Sequence, residues 1–138
     1  MSDQKVKKKF LYINRKAPFG TIYALESLEV VLIGAAFEQD VSLAFIDDGV
    51  FQLMNNQDAN AAGMKTFSKI YRALGDYEVR KLYVEKESLD LRGLTIDDLM
   101  PVTFEDEDDD YAEKPSIILV GRSEMTGLIA SQDVVLSF

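Results

Sequence analysis

The residues that could bind an anion lie in a short loop ahead of the first predicted helix. Arg15 and Lys16 supply two positive charges, and Gly20 and Thr21 stand where that helix begins. Backbone N–H groups and the helix dipole attract anions at such a position. The loop matches neither G-x-G-x-x-G nor G-x-x-x-x-G-K-[ST]. We therefore predict an ordinary strand-to-helix turn, with a small anion- or nucleotide-binding protein as the alternative function.

A second candidate is the acidic pair Asp47 and Asp48, which Gly49 follows. Paired carboxylates can bind a hard cation or take part in proton transfer. They also stabilise turns, because Asp side chains accept hydrogen bonds from nearby backbone N–H groups and glycine tolerates positive φ. No third carboxylate or base stands nearby in the sequence, so we predict a turn. Phe51 and Leu53 are apolar residues in a loop, which indicates contact with either the core or another subunit.

Other chemistry is limited by what the sequence lacks: it has no cysteine, no histidine and no tryptophan. Without a thiol it has neither a thiolate nucleophile nor a persulfide carrier, and without histidine it has no imidazole base. A zinc site of the usual Cys/His kind is excluded for the same reason. We expect no catalytic residue, no metal site and no cofactor in this chain.

The charge balance bears on partners and location. The 138 residues include 15 basic and 24 acidic ones, which gives a net charge of −9 and argues against direct nucleic-acid binding. Residues 1–9 are basic, but the apolar stretch 10–13 that follows is too short for a signal-peptide core. We expect a cytoplasmic protein without membrane contact, with one domain over 1–138 and a disordered basic start at 1–8.

Strand and helix patterns alternate along the chain. Short runs rich in β-branched and aromatic residues predict strands at 9–14, 41–46, 79–84, 117–120 and 134–138. Helices are predicted at 20–37, 67–74 and 123–131, with a helical turn at 87–92 and a capping box at Thr95 and Asp98. This order predicts a single-domain α/β fold: an open, mainly parallel five-stranded sheet, flavodoxin-like, with helices on both faces.

The predicted helix at 20–37 and the acidic run at 105–110 need separate interpretations. Residues 30–36 carry no charge, so this part of the helix is apolar all round. The simplest interpretation is that a second protein surface packs against this part of the helix, which makes Val30, Ile33 and Phe37 interface candidates. A long loop of the same chain could pack there instead. The six consecutive acidic residues predict a solvated loop over 105–114, with a short edge strand at 101–104 before it.

Four segments carry a family resemblance: KAPFGT at 16–21, VSLAFIDDGVFQL at 41–53, LGDY at 74–77 and DVVLSF at 133–138. In the same order along nearly the whole chain, they resemble the DsrE/DsrF/DsrH (TusBCD-like) family, and within it the DsrF and TusC branch. That resemblance implies the α/β fold and a heterohexamer with two copies each of three related subunits. It also places Asp48, Gly49, Val50, Phe51 and Gln52 near a subunit boundary.

The resemblance implies a supporting role in sulfur relay. In the family, a DsrE/TusD-type subunit carries sulfur as a cysteine persulfide, and a downstream sulfur-carrier protein receives it. We therefore expect a non-catalytic subunit with DsrE-like and DsrH-like partners, acting in oxidation of stored sulfur. The stretch 101–115 is longer than in the TusC type, which favours DsrF over the alternative, tRNA 2-thiouridine synthesis. A self-associating α/β module without a sulfur role is a further alternative.

Overall fold

A computed structural model describes residues 8–15, 39–54 and 79–137 of the chain. Five strands form the main sheet: β1 (Lys9–Asn14), β2 (Asp40–Phe45), β3 (Leu82–Glu85), β6 (Ile117–Val120) and β7 (Val134–Ser137). Two strands form a separate hairpin: β4 (Thr103–Asp106) and β5 (Ala112–Pro115). The helices are α1 (Lys86–Leu91) and α2 (Arg122–Ala130), with 3₁₀ helices at Asp47–Leu53, Ile96–Asp98 and Glu107–Asp109.

The main sheet is parallel throughout, in the order β6-β3-β2-β1-β7. Tyr12 in β1 stands opposite Leu43 of the central strand β2 on one side and Leu136 of the edge strand β7 on the other. Counting main-sheet strands alone, the order is 4-3-2-1-5, which differs from the 2-1-3-4-5 order of flavodoxin. The predicted open, parallel, five-stranded sheet is confirmed.

Both faces of the sheet are buried, as expected of a parallel sheet. Side chains alternate along β1: Tyr12 joins a core on one face, whereas Leu11 and Ile13 join a core on the other. Leu89 of α1 packs into the first core and Met125 of α2 into the second. Helices therefore cover the sheet on both faces, as the alternating strand and helix patterns predict.

The shorter elements agree with most of the predictions made for them. The turn expected at 87–92 is α1, and the helix expected at 123–131 is α2. The capping box forms at the Ile96–Asp98 3₁₀ helix, where the Thr95 N–H donates to Asp98 Oδ2 over 2.8 Å. The helices predicted at 20–37 and 67–74, and the basic start at 1–7, lie outside the described residues. Neither α1 nor α2 is long and apolar enough to cross a membrane.

The acidic stretch differs from the prediction. Instead of an edge strand followed by a loop, β4 and β5 form an antiparallel hairpin with the 3₁₀ turn Glu107–Asp109 at its tip. Lys114 binds both Asp106 and Asp109, at 2.6 and 3.2 Å, and Arg80 binds Glu107 at 2.7 Å. These cations offset part of the repulsion that would otherwise favour an open loop.

Candidate functional site

The carboxyl ends of the parallel strands lie at one edge of the sheet, where ligands and partners usually meet open α/β sheets. The segments that follow β1, β2, β3 and β6 gather there. They bring together two sequence candidates, Arg15 and the acidic pair Asp47 and Asp48, with α1 and the start of α2. The Asp47–Leu53 segment lies at the centre of this group.

Gly49 fits the segment against the end of β1. A Cβ at this position would lie 1.8 Å from the Asn14 carbonyl oxygen, so only glycine permits the approach. The same carbonyl accepts a hydrogen bond from the Ile46 N–H over 3.1 Å. Asp47, one residue later, has φ +50°, a left-handed conformation that Asp adopts more readily than most residues. The predicted turn is therefore confirmed, but its positive φ falls on Asp47, and Gly49 is needed for close packing instead.

Burial divides the residues 48–52, predicted to lie near a subunit boundary, and decides the position of Leu53, predicted to contact either the core or another subunit. Val50 and Leu53 are fully buried in the core, and Gly49 and Gln52 are buried with them. Asp48 is exposed and Phe51 is half-buried. For Leu53, packing in the core of this chain is thus the correct one of the two interpretations. Asp48 and Phe51 are the members of the set that present surface outward.

Below the segment, a chain of hydrogen bonds runs from Asp47 to a buried carboxylate. The Asp47 N–H donates to Ser88 Oγ over 2.9 Å, and Ser88 Oγ donates to Glu85 Oε1 over 2.7 Å. Arg122 Nη2 reaches the same Glu85 oxygen at 3.5 Å. The buried Glu85 and Ser88 thereby tie the segment after β2 to the end of β3.

Arg92, just beyond α1, holds the outer side of the segment. Its Nε and Nη2 both donate to Asp48 Oδ1, over 3.1 and 2.9 Å. Its Nη1 donates to the Ser88 carbonyl over 3.0 Å, and its guanidinium lies 6.0 Å from the centroid of the Phe51 ring. One guanidinium therefore contacts both outward-facing residues and the helix behind them.

The anion-binding candidates are only partly described. Arg15 Nη2 lies 3.4 Å from Asp47 Oδ2, so its charge is directed at the acidic pair. Lys16, Gly20 and Thr21 fall outside the described residues, as do the interface candidates Val30, Ile33 and Phe37. The carboxylates of Asp47 and Asp48 each already contact a guanidinium, from Arg15 and Arg92 respectively. These contacts argue against the alternative in which the acidic pair binds a cation.

A carboxylate of the chain also occupies the start of α2. Both oxygens of Glu87 accept from the Arg122 N–H, over 3.0 and 2.9 Å, and these hydrogen bonds hold the pKa of the Glu87 carboxyl below its usual value. Within 8–15, 39–54 and 79–137, no group of three or more acidic, histidine or cysteine side chains is arranged to hold a metal ion. The contacts among the described residues therefore fix the shape of the Asp47–Leu53 segment.

Sequence comparison identifies the family. A model of the DsrE/DsrF-like family matches residues 8–138. The chain belongs to the DsrE/DsrF-like family. Among curated relatives of this DsrE/DsrF-like chain, the "Intracellular sulfur oxidation protein DsrF" of Allochromatium vinosum is 53% identical over 133 residues, which cover 96% of this chain and 98% of that protein. The "Protein TusC homolog" of Pasteurella multocida is 32% identical over 118 residues, 84% of this chain and 95% of that one.

A comparison with solved structures supports the fold. The crystal structure of the Escherichia coli ychN protein superposes with a TM-score of 0.66, over 96% of this chain and 100% of the other. Because the two sequences are only 20% identical, this similarity shows the fold alone. It confirms the fold class predicted from the alternating strand and helix patterns.

The sequence analysis missed three residues of the candidate site: Glu85, Ser88 and Arg92. Their local sequence held one usable signal, since an arginine four residues after Ser88 can bond to the last carbonyls of a short helix. The hydrogen bond from Arg92 to Asp48 joins residues 44 positions apart, so no local sequence pattern could predict it.

Proposed function

We propose that this chain is a non-catalytic subunit of a cytoplasmic sulfur-relay complex of the DsrEFH type. The observation that carries the proposal is the 53% identity to a DsrF protein across nearly the full length of both chains, in a sequence without cysteine. The partners would be one DsrE-like and one DsrH-like chain, each present with this chain in two copies. A downstream sulfur-carrier protein would receive sulfur from the complex.

The chemistry explains why such a chain needs partners. Persulfide transfer requires a thiolate that attacks a sulfane sulfur, so that one S–S bond forms as another breaks. This chain has no thiol with which to accept or pass on the sulfur. Its contribution would be to shape and hold the subunit that carries the cysteine. Asp48 and Phe51, which face outward from a rigid segment, suit a place at the subunit boundary.

The pathway we propose is the oxidation of stored sulfur. Identity to the DsrF protein is 53%, against 32% to the TusC homologue, whose type we associate with tRNA 2-thiouridine synthesis. The hairpin at 103–115 lies within the stretch 101–115, which the family resemblance indicates is longer than in the TusC type. A free anion-binding role for the Arg15 to Thr21 loop has less support, since Arg15 contacts Asp47.

Co-expression tests the proposed assembly. The tagged chain would be produced together with the DsrE-like and DsrH-like chains of the same organism, and the purified material weighed by native mass spectrometry. We expect a hexamer with two copies of each chain. A clean monomer, or a homo-oligomer that excludes both partners, would contradict the proposal and would favour a self-associating module or an isolated binding protein.

A further inference from the structure

Arg92 is bonded to two separate parts of the candidate site, Asp48 in the segment after β2 and the Ser88 carbonyl in α1. We infer that Arg92 is a positioning residue, which fixes the surface formed by Asp48 and Phe51 in the shape that a partner subunit recognises. This inference rests on the proposed function, in which that surface lies at a subunit boundary. Beyond that function, it names Arg92 as the residue that holds this surface in its binding shape before the partner arrives.

The geometry suits arginine alone. Three guanidinium nitrogens are used: Nε and Nη2 on Asp48 Oδ1, and Nη1 on the Ser88 carbonyl. A lysine ammonium at the same position is a point charge that cannot present this planar set of donors. The Ser88 carbonyl belongs to α1, where Leu89 is buried in the core, so the guanidinium is fixed to a rigid support.

Burial separates this role from general stability. Val50 and Leu53 are fully buried, so the Asp47–Leu53 segment should stay anchored in the core without Arg92. The Arg92 side chain is 22% exposed and that of Asp48 is 60% exposed, so their ion pair adds little to the free energy of unfolding. Removing Arg92 should therefore free the outward residues of the segment while the fold persists.

Arg15 provides a matched control on the same segment. It contacts Asp47 through one nitrogen at 3.4 Å, and both side chains are more than half exposed. A substitution there also removes one arginine from one acidic neighbour and changes the net charge equally. It leaves the bonds between α1 and the segment in place.

The test has two readouts, and the first uses the isolated chain. Hydrogen exchange would be followed at two amides: that of Gly49 within the segment, which donates to the Ile46 carbonyl, and that of Met54 just after it, which donates to the Phe51 carbonyl. In Arg92→Ala and Arg92→Lys we expect exchange at least about threefold faster at these amides, and unchanged exchange at the Leu43 amide in β2. Arg15→Ala should match the wild type. Unchanged exchange in Arg92→Ala would overturn the inference, whatever the binding data show.

The second readout is affinity for the assembly of DsrE-like and DsrH-like partners. We expect Arg92→Ala to bind roughly tenfold more weakly, Arg92→Lys to recover little, and Arg15→Ala to bind normally. Asp48→Ala should weaken binding similarly, and the double variant Asp48→Ala/Arg92→Ala should be no weaker than the worse single variant, because both remove one interaction. Fully additive losses would contradict a positioning role. Faster exchange with unaltered affinity would instead contradict the boundary placement in the proposed function.

Discussion

The Asp47–Leu53 segment and the hairpin at 103–115 both carry acidic residues in a turn, yet they are held by different forces. The segment follows β2 at the carboxyl edge of the sheet, and its Val50 and Leu53 are fully buried. The hairpin leads into β6 at the opposite, amino edge, and its turn residues Glu107–Asp109 are exposed. Packing fixes the first region, whereas ion pairs with Arg80 and Lys114 hold the tip of the second.

The difference teaches how a run of carboxylates becomes ordered. Buried contacts are insensitive to protonation and salt, while exposed ion pairs are weak and depend on both. The buried residues of the segment should therefore keep their positions over a wide range of solution conditions. The hairpin should respond to acid and to changes in its own charge.

The largest expected effect concerns Gly49→Ala. The new Cβ would meet the Asn14 carbonyl oxygen at 1.8 Å, and a main-chain atom cannot swing aside as a flexible side chain could. We expect a loss of more than about 3 kcal/mol in the free energy of unfolding, measured by urea denaturation. The control is Gly127→Ala in α2, where nothing lies within 4 Å of the added atom, and which should gain roughly 0.5 to 1 kcal/mol. Equal effects at the two glycines would refute the packing described here.

Leu53→Ala should follow in size. Leu53 is fully buried, so its truncation leaves a cavity and should cost about 3 kcal/mol in denaturant unfolding. Leu91→Ala removes the same atoms from a side chain that is 77% exposed, and should change stability by less than about 0.5 kcal/mol. If the two variants unfolded at the same urea concentration, the segment would not be part of the core.

Acid should open the hairpin before the segment. The ammonium of Lys114 lowers the pKa of the Asp106 carboxyl, and the Arg80 guanidinium lowers the pKa of the Glu107 carboxyl. Lowered values mean that both carboxylates stabilise the fold above the usual Asp and Glu range, and that this contribution is lost as the pH falls through the lowered values. We expect the Tyr111 amide, which donates to the Asp106 carbonyl, to lose protection from hydrogen exchange there while the Met100 amide, which donates to the carbonyl of the buried Leu53, keeps it. If both amides lost protection at the same pH, the hairpin and the segment would not differ in their sensitivity to acid.

The smallest expected effect is a gain from Glu105→Gln. Glu105 stands directly opposite Glu113 in the hairpin, and like charges in that position repel. Neutralising one of them should stabilise the hairpin by roughly 0.5 kcal/mol at neutral pH. The gain, seen as slower exchange of the Tyr111 amide, should vanish when Glu113→Gln is already present. If Glu105→Gln still stabilised the hairpin when Glu113→Gln was present, the gain would not come from relief of the repulsion between these two residues.

Sequence patterns predicted the main sheet well because its strands are short apolar runs with distinct ends. The run at 117–120 matched β6 residue for residue, while the predicted start at Val79 preceded the observed start of β3 at Leu82. The hairpin was missed because its order depends on Arg80 and Lys114 reaching acidic residues across the turn, which composition does not reveal. Likewise, the close approach of Gly49 to Asn14 and the bond from Arg92 to Asp48 join distant parts of the chain.

Sulfur transfer with a labelled donor tests the central proposal most directly. The DsrE-like and DsrH-like partners would be charged with ³⁵S-sulfane sulfur, with and without this chain, and transfer to the carrier protein measured along with the label on each polypeptide. We expect label on a cysteine-bearing partner, none on this chain, and efficient transfer only when this chain is present. Covalently bound label on this chain, or equally fast transfer without it, would contradict a supporting role in sulfur relay.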